Sequence, residues 1–313
     1  MTRPRILQLG KLLPALEQAL AIDYDVHLLA GEADPKAFLA REGAGFVGVV
    51  TNAALGIDGA TIAALPKLKV ISSFGVGFDK VDLPAARARG IPVGYTPDVL
   101  NDCVADTAFG LVIDAARRFT DSDRYLRRGD WLKSPYPLAT RVSGKKLGIV
   151  GLGRIGRVIA RRASGFDMEV RYHNRRPVDG VDFGYEATLA GLARWADFLV
   201  VAAAGGAESR HLISREILAA LGSKGFLINI ARGTVVDQDA LIEALENKTI
   251  AGAGLDVYED EPRVPARLIA CENAVLLPHL ASGTHETRKA MGDLVLENLR
   301  SFFATGQVKV AVP

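Results

Sequence analysis

The chain has 313 residues, a hydrophobic content of 49 % and a formal net charge of +2. That length favours two domains, and the balanced charge gives no reason to expect nucleic acid or an anionic membrane as a partner. No apolar run approaches the roughly 20 residues of a membrane span, and the amino terminus lacks the apolar core of a secretory signal. Cys103 and Cys271 lie far apart and have no metal-type spacing. The composition therefore predicts a soluble cytoplasmic protein without a metal site, whose two thiols stay reduced.

Short apolar runs alternate with helical patterns from the amino terminus onward, which is typical of α/β folds with parallel sheets. In the first third of the chain the predicted strands are 6–9, 24–29, 46–50, 70–73 and 92–94. Helical patterns at 12–20 and 83–89 lie between them. A long helical pattern then runs over 101–128, with an interruption near its end.

A second series of predicted strands occupies the middle of the chain, at 147–150, 169–172, 198–202, 225–229, 252–256 and 274–277. A last helical pattern, 286–303, is followed by an apolar run at 308–312. We interpret the two long helical patterns as connections between domains. One domain is then predicted to comprise 1–98 plus 287–313, with the other, 99–286, inserted into it.

A glycine-rich turn links the first strand of the second series to a helical pattern over 157–163, and another strand follows. Its glycines occupy the first, third and sixth positions, where they permit a tight turn, close approach of a pyrophosphate and close helix packing. Free N–H groups at the start of the helix favour the phosphates. This βαβ unit predicts a dinucleotide-binding Rossmann domain. The predicted cofactor contacts in the turn are Gly151, Gly153, Arg154, Ile155 and Gly156.

The end of the next strand indicates which dinucleotide is bound. An NAD site has Asp or Glu there to bind the ribose 2′-hydroxyl, but residues 170–177 contain no carboxylate. Asn174, Arg175 and Arg176 stand there instead, and guanidinium groups match the oxygens of a 2′-phosphate. The alternative is that these arginines only solvate a surface turn. We predict that the cofactor is NADPH/NADP+.

A nicotinamide enzyme that acts on a carbonyl needs an acid/base group, and histidine is the usual one. His279 directly follows the strand pattern at 274–278, at the carboxyl end where open α/β sheets bind ligands. The other histidines fit less well, since they lie in an early strand, at the adenosine end, before a helix or after the interdomain turn: His27, His173, His211 and His285.

Two further strand ends carry residues of complementary chemistry. A carboxylate beside His279 would keep its imidazolium ready to protonate an alkoxide, and Glu259, Asp260 and Glu261 are all candidates. Arg232 follows the strand at 225–229 and could grip the carboxylate of a 2-keto acid while polarising its carbonyl. The residues alone do not choose among the three carboxylates.

Four motifs together identify a resemblance that extends over essentially the whole chain. They are the Gly151–Gly156 turn, LINIARGTV at 227–235, GAGLDVYEDEP at 252–262 and LPHLASG at 277–283. In these motifs the chain resembles the D-isomer-specific 2-hydroxyacid dehydrogenase family. The resemblance implies a Rossmann cofactor domain inserted into a flavodoxin-like substrate domain.

The family pattern also implies a role for individual residues. His279 would be the general acid/base, Glu261 its carboxylate partner and Arg232 the anchor of the substrate carboxylate. The backbone of Val76 and Gly77, in a glycine-rich loop at 73–79, would contact the same carboxylate. Ala231 and Asp256 would be cofactor contacts, with Asp256 beside the nicotinamide carboxamide.

Within the family, the segment 95–100 (YTPDVL) and the arginine turn are most similar to NADPH-dependent glyoxylate/hydroxypyruvate reductases and their hydroxyphenylpyruvate-reducing relatives. Glu261 stands where formate dehydrogenases carry Gln, which argues against formate. The predicted reaction is reduction of a small 2-keto acid to the D-2-hydroxy acid. The alternatives are a bulkier keto acid, such as 4-hydroxyphenylpyruvate or 2-ketogluconate, and a cofactor-sensing protein similar to the corepressors of this fold.

The resemblance also implies a homodimer formed through the cofactor domains. The segment 131–141 would extend as an arm to the partner, and Trp131 or Tyr136 would reach the partner's pocket.

Overall fold

The computed structural model describes residues 3–313. The chain divides into two compact units. The discontinuous unit comprises residues up to Leu100 together with Thr284–Pro313, and the central unit is Asn101–Gly283. The boundaries predicted from sequence, 98/99 and 286/287, lie two or three residues from these.

The discontinuous unit contains a five-stranded parallel sheet in the order β2-β1-β3-β4-β5. This is the flavodoxin-like order, as predicted. The strands are β1 (Arg5–Gln8), β2 (Asp25–Leu28), β3 (Gly48–Asn52), β4 (Val70–Phe74) and β5 (Val93–Gly94). The connecting helices are α1 (Pro14–Asp23), α2 (Pro35–Glu42), α3 (Gly59–Ala63) and α4 (Leu83–Ala88).

Aspartates begin three of these helices. The side chains of Asp34, Asp58 and Asp82 each accept a hydrogen bond from the backbone N–H three residues later, which satisfies one of the amides left free at a helix start. The central strands β3 and β4 are buried almost throughout, because helices cover both faces of the sheet. That is why they appear in the sequence as continuous apolar runs.

The central unit contains seven parallel strands in the order β12-β11-β10-β9-β6-β7-β8. They are β6 (Lys146–Val150), β7 (Glu169–His173), β8 (Gly184–Tyr185), β9 (Phe198–Val201), β10 (Phe226–Asn229), β11 (Gly252–Leu255) and β12 (Ala274–Leu276). Counted from β6, this is the Rossmann order extended by one strand. The strand β8 was not predicted, because the sequence around Gly184 and Tyr185 mixes glycine and aspartate with single apolar residues and contains no apolar run.

The helices of the central unit are α5 (Asn101–Arg117), α6 (Phe119–Arg127), α7 (Arg154–Ala163), α8 (Leu189–Trp195), α9 (Arg215–Leu221), α10 (Gln238–Glu246) and α11 (Ala266–Ile269). The pattern at 101–128 therefore forms two helices. They separate at Arg118, whose φ of 56° is left-handed. The Asp114 carboxylate accepts hydrogen bonds from the N–H and hydroxyl of Thr120, which stabilises the start of α6.

The chain returns to the discontinuous unit with α12 (His285–Thr305). Asn298, on this helix, is fully buried; its Nδ2 donates to Tyr95 O at 3.1 Å, and its Oδ1 accepts from Val310 N at 2.9 Å. Val312 N also donates to Val93 O at 2.9 Å. The terminal run thus lies against β5, in the same compact unit as the first five strands.

None of the helices in residues 3–313 combines the length and the apolar character that a membrane span requires. Over the same residues, no three His, Cys, Asp or Glu side chains are grouped so that they could hold a metal ion.

Candidate active site

His279 and Glu261 form a close pair at the carboxyl edge of the central sheet. His279 follows β12, and its Nδ1 lies 2.7 Å from Glu261 Oε2. Because an ionised carboxylate can only accept, Nδ1 carries the hydrogen and Nε2 is left for another partner. The backbone of His279 has a φ of 51°, a conformation uncommon outside glycine. The geometry therefore presents Nε2 as the atom able to exchange a proton with a ligand.

Glu261 is held at both of its carboxylate oxygens, since Oε1 accepts a hydrogen bond from Tyr258 N at 3.0 Å. Partial burial tends to raise the pKa of Glu261, but the hydrogen bonds from His279 and Tyr258 and the positive charges of His279 and Arg232 outweigh it. The net effect holds the pKa of Glu261 below its usual value, so the group is charged at neutral pH.

The structure distinguishes the three carboxylates that the sequence left open. Glu259 Oε1 lies 2.5 Å from His211 Nε2, and Asp260 pairs with Arg263 at 2.8 Å on the surface. Glu261 alone of the three contacts His279.

Asp256 positions the backbone that follows His279. It is 1 % exposed, and its two oxygens accept hydrogen bonds from Leu280 N at 2.7 Å and Ala281 N at 3.0 Å. Burial raises the pKa of Asp256, although these two bonds oppose the shift. A carboxylate is required here because it offers an acceptor to each of two adjacent amides.

Arg232 follows β10 in a turn that is fixed on both sides. Asn229 donates through Nδ2 to Arg232 O at 3.0 Å and accepts from Ala231 N at 3.1 Å. The Arg232 guanidinium donates to Ala231 O at 2.8 Å. A Cβ on Gly233 would lie 1.8 Å from Tyr258 C, so only glycine allows this turn to pack against the loop that carries Glu261.

The glycine turn after β6 fits the phosphates of a dinucleotide. Gly151 has a φ of 97°, and a Cβ on Gly156 would lie 2.3 Å from Gly151 O. Among the described residues, no atom outside Gly153 and its two chain neighbours lies within 4 Å of the position of a Cβ on Gly153, so this side of the turn is open. The N-cap residue of α7 is Gly153, which has no side chain to cap the helix, and a helix start of this kind suits an anion. Arg154 and Ile155 form the first turn of that helix.

The arginine turn follows β7, on the neighbouring strand. Asn174 Oδ1 accepts a hydrogen bond from Leu152 N at 2.7 Å, so Asn174 supports the glycine turn. Arg175 and Arg176 are both exposed. Arg175 pairs with Glu208, which was not predicted from the sequence.

The predicted substrate loop lies in the discontinuous unit, after β4. Val76 and Gly77 follow Gly75, whose φ is 142° and whose Cβ would lie 2.5 Å from the Cβ of Ala53. The hydroxyl of Thr96 accepts a hydrogen bond from Gly75 N at 3.0 Å. The role of Thr96 in holding this loop was not predicted, although Thr96 lies in the 95–100 segment that the sequence analysis named.

The remaining histidines have local partners. His27 stacks on Phe38 with ring centroids 4.3 Å apart, and His173 Nδ1 donates to Glu186 O at 2.8 Å. His211, which lies before α9, makes the pair with Glu259 described above. His285 begins α12 on the surface.

Comparison with known proteins identifies this arrangement. The family described as "D-isomer specific 2-hydroxyacid dehydrogenase, NAD binding domain" matches residues 109–281. The chain is 48 % identical over 267 residues to hydroxyphenylpyruvate reductase of Plectranthus scutellarioides, covering 85 % of each chain. It is 48 % identical over 256 residues to glyoxylate/hydroxypyruvate reductase A of Arabidopsis thaliana, covering 82 % of each.

A solved structure extends the likeness to the whole fold. The NADPH-dependent glyoxylate/hydroxypyruvate reductase of Sinorhizobium meliloti, solved in complex with NADP and malonate, has a TM-score of 0.94 and 42 % identity. The match covers 99 % of this chain and 97 % of that one. The chain belongs to the D-isomer-specific 2-hydroxyacid dehydrogenase family, and it is an oxidoreductase with the nicotinamide-dinucleotide-binding domain of that family.

Proposed function

We propose that the protein reduces a small 2-keto acid, glyoxylate or hydroxypyruvate, to the D-2-hydroxy acid with NADPH. The observation that carries this proposal is the 2.7 Å pair of His279 and Glu261 at the carboxyl edge of a Rossmann sheet. The pair supplies a proton donor held by a charged carboxylate, which is what reduction of a carbonyl requires besides a hydride.

NADPH supplies the hydride when it is bound. His279 Nε2 donates the proton to the keto oxygen, so the carbonyl becomes an alcohol and His279 is left neutral. Glu261 stabilises the protonated ring before the transfer and fixes its orientation through Nδ1. Arg232 binds the substrate carboxylate and places positive charge beside the developing alkoxide, where a preorganised cation is most effective.

For the cofactor, the first turn of α7 and Gly151, Gly153 and Gly156 would hold the pyrophosphate. Arg175 and Arg176 would bind the 2′-phosphate. Asn174 would act through its bond to the glycine turn, while Ala231 and Asp256 would lie at the nicotinamide end. The central unit is thus the proposed cofactor domain, and the discontinuous unit the proposed substrate domain.

Val76 and Gly77 are proposed substrate contacts through their backbone amides. The fixed conformation of Gly75 supports this assignment, because it gives the loop a defined starting point. Backbone amides suit a carboxylate and select no particular side chain. The size of the keto acid is therefore decided by other residues.

A bulkier substrate is the second candidate, because the relative at 48 % identity from Plectranthus scutellarioides is a hydroxyphenylpyruvate reductase. The pair of His279 and Glu261 would serve 4-hydroxyphenylpyruvate or 2-ketogluconate by the same chemistry. A cofactor-sensing, corepressor-like role is the remaining alternative.

We also infer a homodimer. Support comes from large apolar side chains exposed around the predicted arm: Phe119, Leu126, Trp131, Leu132 and Leu138. The Tyr136 hydroxyl donates to Asp121 at 2.6 Å, so this side chain is engaged within its own chain and Trp131 is the better candidate to reach a partner. Sedimentation equilibrium of the protein and of Leu132→Asp tests this. The cytoplasmic location expected from the sequence stays a prediction.

The test of function is a set of initial rates on glyoxylate, hydroxypyruvate and 4-hydroxyphenylpyruvate, each with NADPH and with NADH. The proposal expects the highest kcat/KM on one of the two small acids with NADPH. Turnover of the aromatic acid alone would favour the second candidate. Cofactor binding without turnover of any 2-keto acid would favour the sensor.

A further inference from the structure

We propose that Glu208 tunes cofactor selectivity by competing with the 2′-phosphate of NADPH for the guanidinium of Arg175. This inference rests on the proposed role of Arg175. According to this proposal, Glu208 lowers the affinity for NADPH and does not change the affinity for NADH. The residue has no part in the chemistry at His279.

The ion pair joins two loops on opposite sides of the glycine turn. Arg175 follows β7, and Glu208 lies in a short 3-10 turn, Ala207–Ser209, after β9. In the sheet β6 lies between these two strands, and the glycine turn is the continuation of β6. The Arg175–Glu208 pair therefore extends across the edge at which the adenosine end of a dinucleotide enters a Rossmann domain.

The loop that carries Glu208 has its own fixed conformation. Ser209 Oγ donates to Ala204 O at 2.8 Å and to Gly206 O at 3.1 Å. Gly206 has a φ of 138°, a conformation that only glycine adopts readily. These contacts give the backbone that carries Glu208 a defined position beside Arg175.

The Glu208 carboxylate can be replaced by a phosphate as the partner of Arg175. The side chains of Arg175 and Glu208 are 87 % and 82 % exposed, so water screens their attraction and a stronger anion can replace the carboxylate. A phosphate carries about −1.5 to −2 charges and three acceptor oxygens, which makes it the stronger partner for a guanidinium.

NADH has a 2′-hydroxyl and needs no such exchange. The competition therefore lowers NADPH affinity and leaves NADH affinity almost unchanged. Removing the negative charge of Glu208 should increase the preference for NADPH.

The experiment measures the Kd of NADPH and of NADH by fluorescence titration at constant ionic strength. Glu208→Gln should lower the Kd of NADPH about two- to fivefold, the size of one exposed ion pair, with little change for NADH. Glu216→Gln removes a carboxylate from the start of α9 in the same unit and serves as the matched control, which should leave both constants unchanged. In an Arg175→Gln background, Glu208→Gln should have no further effect.

A weaker or unchanged affinity for NADPH in Glu208→Gln, or equal shifts for both cofactors, would overturn the inference. The outcome with Arg175→Gln separates the two proposals. If that variant loses NADPH affinity selectively while Glu208→Gln has no effect, only the competition by Glu208 is wrong. If it loses no selectivity, the arginine assignment fails as well.

Discussion

Thr96 and Gly75 hold each other by two reciprocal hydrogen bonds. Gly75 N donates to Thr96 Oγ1, and Thr96 N donates to Gly75 O. The donor–acceptor distance is 3.0 Å in both hydrogen bonds. Thr96 is completely buried, so neither bond is shared with bulk water. The segment after β5 therefore fixes the start of the loop that carries Val76 and Gly77.

Replacing Thr96 by Val should weaken substrate binding. Valine has nearly the same shape but offers no acceptor, and a buried N–H left without one costs about 1–3 kcal/mol. We expect the KM for the keto acid to rise about tenfold, with kcat and the Kd of NADPH nearly unchanged. Thr96→Ser keeps the hydroxyl and should behave like the parent. A normal KM in Thr96→Val would refute the role of this loop in binding.

Replacing His279 by Asn should remove the proton donor and leave the cofactor site intact. We expect kcat to fall about 10²–10⁴-fold, the usual contribution of a positioned acid, while NADPH binds with unchanged Kd. Steady-state rates and fluorescence titration measure the two effects. His285→Asn, an exposed change six positions away, is the control and should retain full activity. Comparable activity of the two variants would contradict the assignment.

Replacing Glu261 by Gln should lower the rate of reduction. The amide can still contact His279, but it no longer stabilises a positive charge on the ring. We expect kcat for reduction to fall on the order of 10²-fold in steady-state measurements. Asp260→Asn, whose carboxylate faces Arg263, is the matched control. A kcat equal to that of the parent would show that Glu261 does not support the acid.

Asp256 and Glu261 should make opposite contributions to the pH dependence of stability. The pKa of Glu261 is lowered in the folded state, so its contribution is complete above the usual carboxyl value of about 4.3 and is lost as pH falls through the lowered pKa. The pKa of Asp256 is raised by burial. Its contribution is complete below about pH 3.9 and is lost as pH rises through the raised pKa.

Urea unfolding of the parent, Asp256→Asn and Glu261→Gln between about pH 2 and pH 7 tests this, because the Glu261 contribution changes only below about pH 4.3. The stability advantage of the parent should shrink with rising pH against Asp256→Asn and should grow against Glu261→Gln. The asparagine variant also loses one acceptor for the amides of Leu280 and Ala281, so the slope with pH is the measure and not the absolute difference. Slopes of the same sign for both variants would be incompatible with the two shifts.

Much of the fold could be predicted from the sequence because both sheets are parallel and buried on both faces. Their strands form apolar runs, and in such sheets ligand-binding residues lie at the carboxyl ends. His279 and Arg232 were predicted as site residues by that rule before any family resemblance was considered. Glu261 needed the resemblance, since three adjacent carboxylates have the same chemistry and only their contacts distinguish them.

The features that were missed depend on contacts distant in sequence. The pair of Arg175 and Glu208 joins loops from two strands, and no local pattern links them. Thr96 makes its hydrogen bonds to the backbone N–H and C=O of Gly75. Nearly every residue has these groups, so the residue type at position 75 does not reveal the contact. An interruption of the helical pattern at 101–128 was predicted near its end, but its position at the left-handed Arg118 was not, because no glycine or proline marks it.

The interrupted path of the chain also orders its folding. The central unit is one continuous segment, whereas the discontinuous unit depends on contacts such as the hydrogen bond from Ser72 to Val295 O, which joins residues 223 positions apart. During synthesis the whole Rossmann unit therefore emerges from the ribosome before α12 has been synthesised. The strands β1–β5 cannot complete their contacts until α12 has emerged. Because domains tend to fold as they emerge and distant contacts form slowly, the cofactor domain should be native first on the ribosome. Nascent chains stalled within α12 would then be able to bind dinucleotide before the other unit has folded.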